Sequence, residues 1–268
     1  MPLWFTYRRP AMPALQSPYP HSHCLAMLVH GDELLPFAEN ALATLRNSGN
    51  GIPVLIWVSG QTSLSAAAAI GARYAAKTHP IVLPGAVNQG YSDYGTAPFN
   101  AAVSLKYQLL LQTMDLGYET VVFADCDIAF IADFSQYLES ASAVYAAGVQ
   151  SDALPRFPPQ YCTGFMYFTR AARPLLERLH VMNMGCADKA DDQMVFNALI
   201  EQEPEIMRSV LALPEALFQN GLQYRQYHGR RFKESVGDLQ PFLFHANWIF
   251  GLENKRRVLR RMGLWHSA

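Results

Sequence analysis

The feature that most constrains the fold is a repeated unit: a short run of apolar residues, a turn, then a stretch with apolar residues at helical spacing. Residues 25–29 are such a run; they end at His30-Gly31-Asp32 and lead into 34–45, where apolar positions recur at helical intervals until Asn47-Ser48-Gly49. Residues 52–58 form the next run, followed by Ser59-Gly60 and an Ala-rich helical stretch over 63–76, and a third strand is expected at 81–83. Strands that are apolar throughout are buried on both faces, and strand–helix–strand repeats join parallel strands through right-handed crossovers. The pattern therefore predicts an α/β fold, a Rossmann-like, mixed but mainly parallel sheet flanked by helices.

Residues 120–130 read Thr-Val-Val-Phe-Ala-Asp-Cys-Asp-Ile-Ala-Phe. The apolar run 121–124 is expected to be a central strand, and Asp125 and Asp127, two positions apart, leave the same side of the backbone. Ligands of open α/β sheets bind beyond the carboxyl ends of the strands, where this pair would fall. Two hard oxygen ligands there suit Mg2+ or Mn2+, with substrate phosphates completing the shell. A solvated strand-end turn is the plain alternative.

No Gly/Ser-rich or Pro-rich linker interrupts the middle of the 268 residues, so one domain is expected over 24–268, preceded by an irregular leader, 1–23, with five prolines and an Arg-Arg pair. Hydrophobic residues at 50 % and charged residues at 16 % suffice for a large core. A net charge of -1 and a pI near 6.7 supply no basic field for a nucleic-acid backbone, which excludes general nucleic-acid binding but not a small phosphorylated ligand. Cys24, Cys126, Cys162 and Cys186 form no C-x-x-C pair, which argues against a zinc site or a disulfide framework and for a reducing compartment. No stretch reaches the roughly 18 apolar residues of a transmembrane span. A cytoplasmic protein is expected, with peripheral membrane attachment left open.

Residues 87–99 lack periodicity and read as a long loop, and 101–116 as a helix whose Lys106 has a solvated position as its simplest reading. A short helix is expected at 134–138, a strand at 143–149 and a Pro-rich loop at 151–160. The β-prone run 161–169 contains Gly164, and a glycine inside a strand marks close approach by a ligand or another backbone. Helices at 171–182 and 191–201 follow, the second opening on Asp191-Asp192-Gln193, for which helix capping is a sufficient structural reason. Strand-like pieces at 210–213 and 241–244 precede His245 and a basic helix over 256–261.

In their joint order these residues resemble the nucleotide-diphospho-sugar transferases, glycosyltransferases of the GT-A type that include retaining α-glycosyltransferases. The blocks are Lys106-Tyr107, Asp125-x-Asp127 after an apolar strand, Thr163-Gly164-Phe165, Asp192-Gln193 with Phe196-Asn197, and His245-x-Asn247-Trp248 with Gly251 and Lys255. The resemblance spans about 101–260. It implies that Asp125 and Asp127 hold Mn2+ or Mg2+ against a sugar-nucleotide diphosphate, Asp125 also approaching the ribose, with His245 as the third protein ligand. It further implies that Lys255 and the amide of Gly251 meet the diphosphate, that Lys106 and Gly164 lie against the nucleotide donor, and that Asp192 and Gln193 line the donor-sugar pocket. One departure is Cys162, where relatives commonly carry Asn. A carboxamide is thereby replaced by a weak donor.

The implied activity is metal-dependent transfer from a UDP-sugar to a glycan, glycolipid or other hydroxyl acceptor, with retention. The divalent ion and a lysine would stabilise the charge on the departing diphosphate, and an O, O, N ligand set tilts the ion toward Mn2+. The alternatives are sugar-nucleotide hydrolysis or nucleotidyl transfer, a catalytically silent binding module, and a phosphatase of the haloacid-dehalogenase type. The last fits poorly, because its motif lies near the amino terminus and carries Thr or Val where this chain has Ala129.

Overall fold

The computed structural model describes residues 22–81, 92, 94–152, 160–226 and 240–267. Expectations for the leader up to 21, for 82–83 of the third strand, for 87–91 and 93 of the loop at 87–99 and for 153–159 of the loop at 151–160 lie outside the described residues.

The main sheet has seven strands: β1 (His23–His30), β2 (Val54–Ser59), β3 (Ala76–Pro80), β4 (Thr120–Ala124), β6 (Ala147–Ser151), β7 (Tyr161–Thr169) and β8 (Val210–Leu213), in the order β3-β2-β1-β4-β7-β6-β8. β1, β2, β3 and β4 run parallel, β7 runs antiparallel between β4 and β6, and β6 and β8 are parallel. This is the mixed, mainly parallel sheet that the apolar runs predict. Burial explains the solid apolar runs. Leu25, Met27 and Val29 of β1 face one core while Cys24, Ala26 and Leu28 face the other; in β4, Val122 and Ala124 face the first, Val121 and Phe123 the second. Each fully buried side chain of this size contributes about 1.5–3 kcal/mol.

The chain leaves β1 toward β2 and β3, then returns on the other side of β1 as β4, so the connections diverge between β1 and β4. That switch point is where an open sheet leaves room for a ligand. A second, three-stranded sheet closes over it from β5 (Ile128–Phe130), β9 (Phe218–Asn220) and β10 (Leu243–His245), in the order β5-β10-β9.

Three expectations are corrected. The third strand is Ala76–Pro80, not 81–83, and the helix before it, α2 (Leu64–Arg73), ends earlier than 76. β3 is an edge strand only partly covered, so it lacks the solid apolar run that marks its neighbours. The helix expected over 101–116 is two: α3 (Ala97–Val103), opening at the Thr96 cap, and α4 (Leu105–Asp115). They meet at Ser104, whose hydroxyl donates back to the Ala101 carbonyl at 2.6 Å, the local competition that makes serine a poor helix-interior residue. The strand expected at 143–149 is shifted to β6, because α5 (Ser135–Ser142) consumes more chain than the short helix foreseen.

The remaining helices are α1 (Leu35–Asn47), which stops at Ser48 and Gly49 with Gly49 at φ 84°, α6 (Arg173–Cys186), α7 (Asp192–Gln202), α8 (Pro204–Met207), α9 (Gly221–Gln226) and α10 (Leu252–Arg261). Among the described residues no helix is long and apolar enough to cross a membrane.

Candidate active site

The carboxyl end of β4 puts Asp125 and Asp127 at the switch point, with Cys126 between them turned the other way, its thiol donating to the Leu28 carbonyl at 3.1 Å. Asp125 is held at the backbone by β7, its amide donating to the Gly164 carbonyl at 2.8 Å. His245, the last residue of β10, enters from the second sheet, with Nε2 3.3 Å from Asp127 Oδ1 and 3.6 Å from Asp125 Oδ2. One ligand atom from each of the three residues lies within 4.8 Å of the others.

That convergence leaves no room at position 164. A Cβ there would collide with the His245 ring and stand 2.7 Å from Asp125 Oδ2, so the close approach the strand glycine signals is made by these two side chains. The imidazole is fixed from behind: Nδ1 lies 2.9 Å from Gln150 Oε1. Donation of Nδ1–H to that oxygen leaves Nε2 facing the two carboxylates. Burial disfavours the imidazolium, but the Asp127 carboxylate, and Cys162 beside it, outweigh burial and raise the His245 pKa to about 10. For Asp127 burial works upward, and Lys255 and His245 together hold its carboxyl well below the usual range.

Lys255 projects from α10 and reaches Asp127 Oδ2 at 2.6 Å. Gly251, at the start of that helix, has φ 79°, a left-handed value that a side chain would strain. Lys106 is not a solvated helical lysine. Its Nζ is buried, 4.9 Å above the Phe123 ring, and lies 3.1 Å from Asp125 Oδ1 and 3.1 Å from Asp192 Oδ2. Burial opposes its charge, yet the two carboxylates keep its pKa above that of an ordinary lysine.

The three polar residues at the start of α7 have separate tasks. Asp191 is the cap, accepting from the Met194 amide at 2.7 Å. Asp192 faces Lys106; its burial, set against the pull of Lys106 and a Thr163 hydrogen bond, raises its pKa to about 6. Gln193 donates through Nε2 to Asp152 Oδ2 at 3.0 Å. Asn197, one turn on, brackets Tyr161 of β7, accepting from its amide and donating to its carbonyl, both at 2.9 Å.

Two site residues carried no sequence signal. Gln150 is a polar residue within an apolar strand, and Asp152 opens a Pro-rich loop without a motif. Asp152 is buried and gathers Gln193, the Trp248 indole N–H at 2.8 Å and Asn247 Nδ2 at 3.3 Å. Burial raises its pKa despite these donors. Trp248 itself has φ 59°, an unusual value for a bulky residue, at the edge of the cleft. Cys162, where the resemblance implies Asn, lies 3.4 Å from Asn247 Nδ2 and 3.7 Å from His245 Nδ1.

One cleft is lined by every candidate the sequence singled out: Lys106, Asp125, Asp127, Gly164, Asp192, Gln193, His245, Gly251 and Lys255. The donor set suits a divalent ion, because two carboxylates and a histidine oriented by its far nitrogen supply three ligands on one side and leave the cleft side for phosphate oxygens.

Known proteins resemble this chain in sequence and in fold. A family model described as nucleotide-diphospho-sugar transferase matches residues 63–259. Two curated Arabidopsis thaliana proteins are similar: UDP-D-xylose:L-fucose alpha-1,3-D-xylosyltransferase MGP4, 26 % identical over 206 residues, and a second UDP-D-xylose:L-fucose alpha-1,3-D-xylosyltransferase, 25 % identical over 213. Each match takes in 70 % of this chain and 56 % or 55 % of the relative, so the chain spans about half the length of the curated relatives it matches. Among solved structures, mouse xyloside xylosyltransferase 1 superposes with a TM-score of 0.58 at 13 % identity, over 86 % of this chain and 99 % of that one. Galactosyltransferase LgtC, solved with donor and acceptor sugar analogs, gives 0.58 at 10 % identity over 84 % and 87 %. Both likenesses show the fold alone.

Proposed function

The chain belongs to the nucleotide-diphospho-sugar transferase family, and we propose that it moves a sugar from a UDP-sugar to a hydroxyl acceptor, with a divalent ion and with retention. The observation that carries this reading is the convergence of Asp125, Asp127 and His245 beside Lys255, at the switch point of a GT-A sheet. UDP-xylose is the first donor to try, since the curated relatives are named for it. The acceptor is a glycan, glycolipid or other hydroxyl compound. The four unpaired cysteines support the cytoplasmic placement read from the sequence.

Asp125, Asp127 and His245 would hold Mn2+, or Mg2+, whose chemistry is to stabilise the negative charge of a departing diphosphate. Lys255 adds a positive charge on the same side, aimed at the same oxygens. Lys106 serves differently. Sealed between Asp125 and Asp192, it holds the Asp125 carboxylate in place before any ligand arrives.

Asp192 and Gln193 line the donor-sugar side. Asp192 is bound to a lysine, which weakens it as a nucleophile and favours a positioning role. Gln193, with its Nε2 committed to Asp152, offers its carbonyl oxygen to a sugar hydroxyl. Turnover of UDP-sugars with Mn2+, with and without excess chelator, tests the reading. Loss of transfer in chelator is expected; full transfer there would remove the ion. Release of free sugar with no acceptor dependence would select the hydrolase, and UDP binding without turnover of any sugar nucleotide would select the silent module.

A further inference from the structure

A fully buried carboxamide, that of Gln150, joins the main sheet to β9 and β10 of the second. Gln150, with no exposed surface, lies in β6 at an irregularity in its pairing with β7: Val149 pairs with Met166, yet Gln150 pairs with Cys162. Bulges next to functional sites re-aim a side chain. Here the extra residues, 163–165, lie on β7, and Gln150 keeps its place beside Leu213 of β8 while its side chain reaches the second sheet. Its Nε2 donates to the Phe218 carbonyl at 3.0 Å and the Gln219 carbonyl at 3.1 Å, both on β9, while Oε1 lies 2.9 Å from His245 Nδ1 on β10.

We propose that Gln150 is a positioning residue for the divalent ion, setting the His245 imidazole so that Nε2 faces Asp125 and Asp127. This rests on the reading of those three residues as the ion's ligands. The two β9 carbonyls accept only, so they fix which end of the carboxamide is nitrogen; Oε1 is then turned to the imidazole and accepts only, so it fixes Nδ1 as the protonated nitrogen. Nε2 is left as the nitrogen with a lone pair for the ion. An apolar residue at 150 would leave the ring free to adopt the other tautomer or to turn. No other polar side chain among the described residues reaches Nδ1 at ordinary hydrogen-bond distance; the nearest is the Cys162 sulfur, a weak partner at 3.7 Å.

The experiment is a double-mutant cycle on Mn2+ affinity with UDP present, by titration calorimetry on wild type, Gln150→Leu, His245→Ala and the double variant, with thermal melts as a check of fold. Gln150→Leu is expected to weaken Mn2+ binding about 10- to 100-fold, the usual cost of losing a metal ligand's orienting partner, and to add nothing once His245 is Ala. Additive losses, or unchanged affinity in a folded Gln150→Leu, overturn the proposal while leaving the ion site standing. Wild-type UDP binding indifferent to Mn2+, or His245→Ala indifferent to it, overturns the site itself.

If Gln150→Leu does not fold, 15N NMR of wild-type histidines with UDP and diamagnetic Mg2+ decides instead. A proton on Nδ1 and none on Nε2 of His245 is expected; the reverse tautomer overturns the proposal.

Discussion

Asp125 and Asp127 each meet a lysine, and the two pairs could hardly differ more. Lys106 is 6 % exposed at its side chain and shared between two carboxylates from different elements, β4's end and α7's start. Lys255 is 20 % exposed, stands on the first turns of α10, and its Nζ lies 2.6 Å from Asp127 Oδ2. A buried ion bridged by two carboxylates is committed: removing one partner strands charge away from water, at about 3–5 kcal/mol. An ion at the rim of a cleft keeps the option of another anion. Lys106 is thus part of the framework of the cleft, whereas Lys255 stands at its rim.

The largest effect should come from the fork itself. Asp127→Ala is expected to reduce turnover to background while circular dichroism and melting remain those of a folded protein, because Asp127 faces the cleft rather than the core. Lys106→Ala is the next test, and its expected outcome is opposite in kind: a loss of about 3–5 kcal/mol of stability in denaturant titration, whatever happens to activity. A Lys106→Ala variant that melts like wild type would erase the distinction between the lysines.

His245 sharpens the same contrast through pH. Its folded pKa, raised to about 10 by Asp127 against burial, exceeds the ordinary value of 6.5, so metal-free protein gains stability that is fully present below 6.5 and is lost as pH rises through 10. His245→Ala should flatten that part of the metal-free stability profile and weaken Mn2+ binding, with a stability loss of about 1–3 kcal/mol near pH 6. An unaltered profile would mean that the imidazole does not interact with Asp127. The smallest effect belongs to Lys255→Ala, which should weaken UDP but spare uridine, at a smaller cost in stability than Lys106→Ala. Equal losses for both ligands would make Lys255 structural as well.

Legibility in the sequence followed burial. β1, β2, β4 and β7 were readable because central strands covered on both faces must be apolar throughout, whereas the edge strand β3 hid beyond the end of an Ala-rich helix. β5 and β9, three residues each, are too short for any periodicity. The fork at Asp125 and Asp127 was readable because it directly follows an apolar strand, and His245 and Lys255 because they continue a family order. Lys106 showed no sign of its burial, since its partners Asp125 and Asp192 are distant in sequence. Gln150 and Asp152 were illegible for a related reason: Gln150 takes its meaning from carbonyls on another sheet and Asp152 from the side chains of Gln193, Asn247 and Trp248, and neither leaves a local pattern.

The central claim is that Asp125, Asp127 and His245 together hold a divalent ion against a nucleotide diphosphate. Titration calorimetry of UDP into the protein, in Mn2+ and then in chelator, tests it most directly. UDP is expected to bind strongly with Mn2+ and weakly or not at all in chelator, and Asp127→Asn to abolish the difference between the two conditions. UDP binding of equal strength with and without the ion would contradict it.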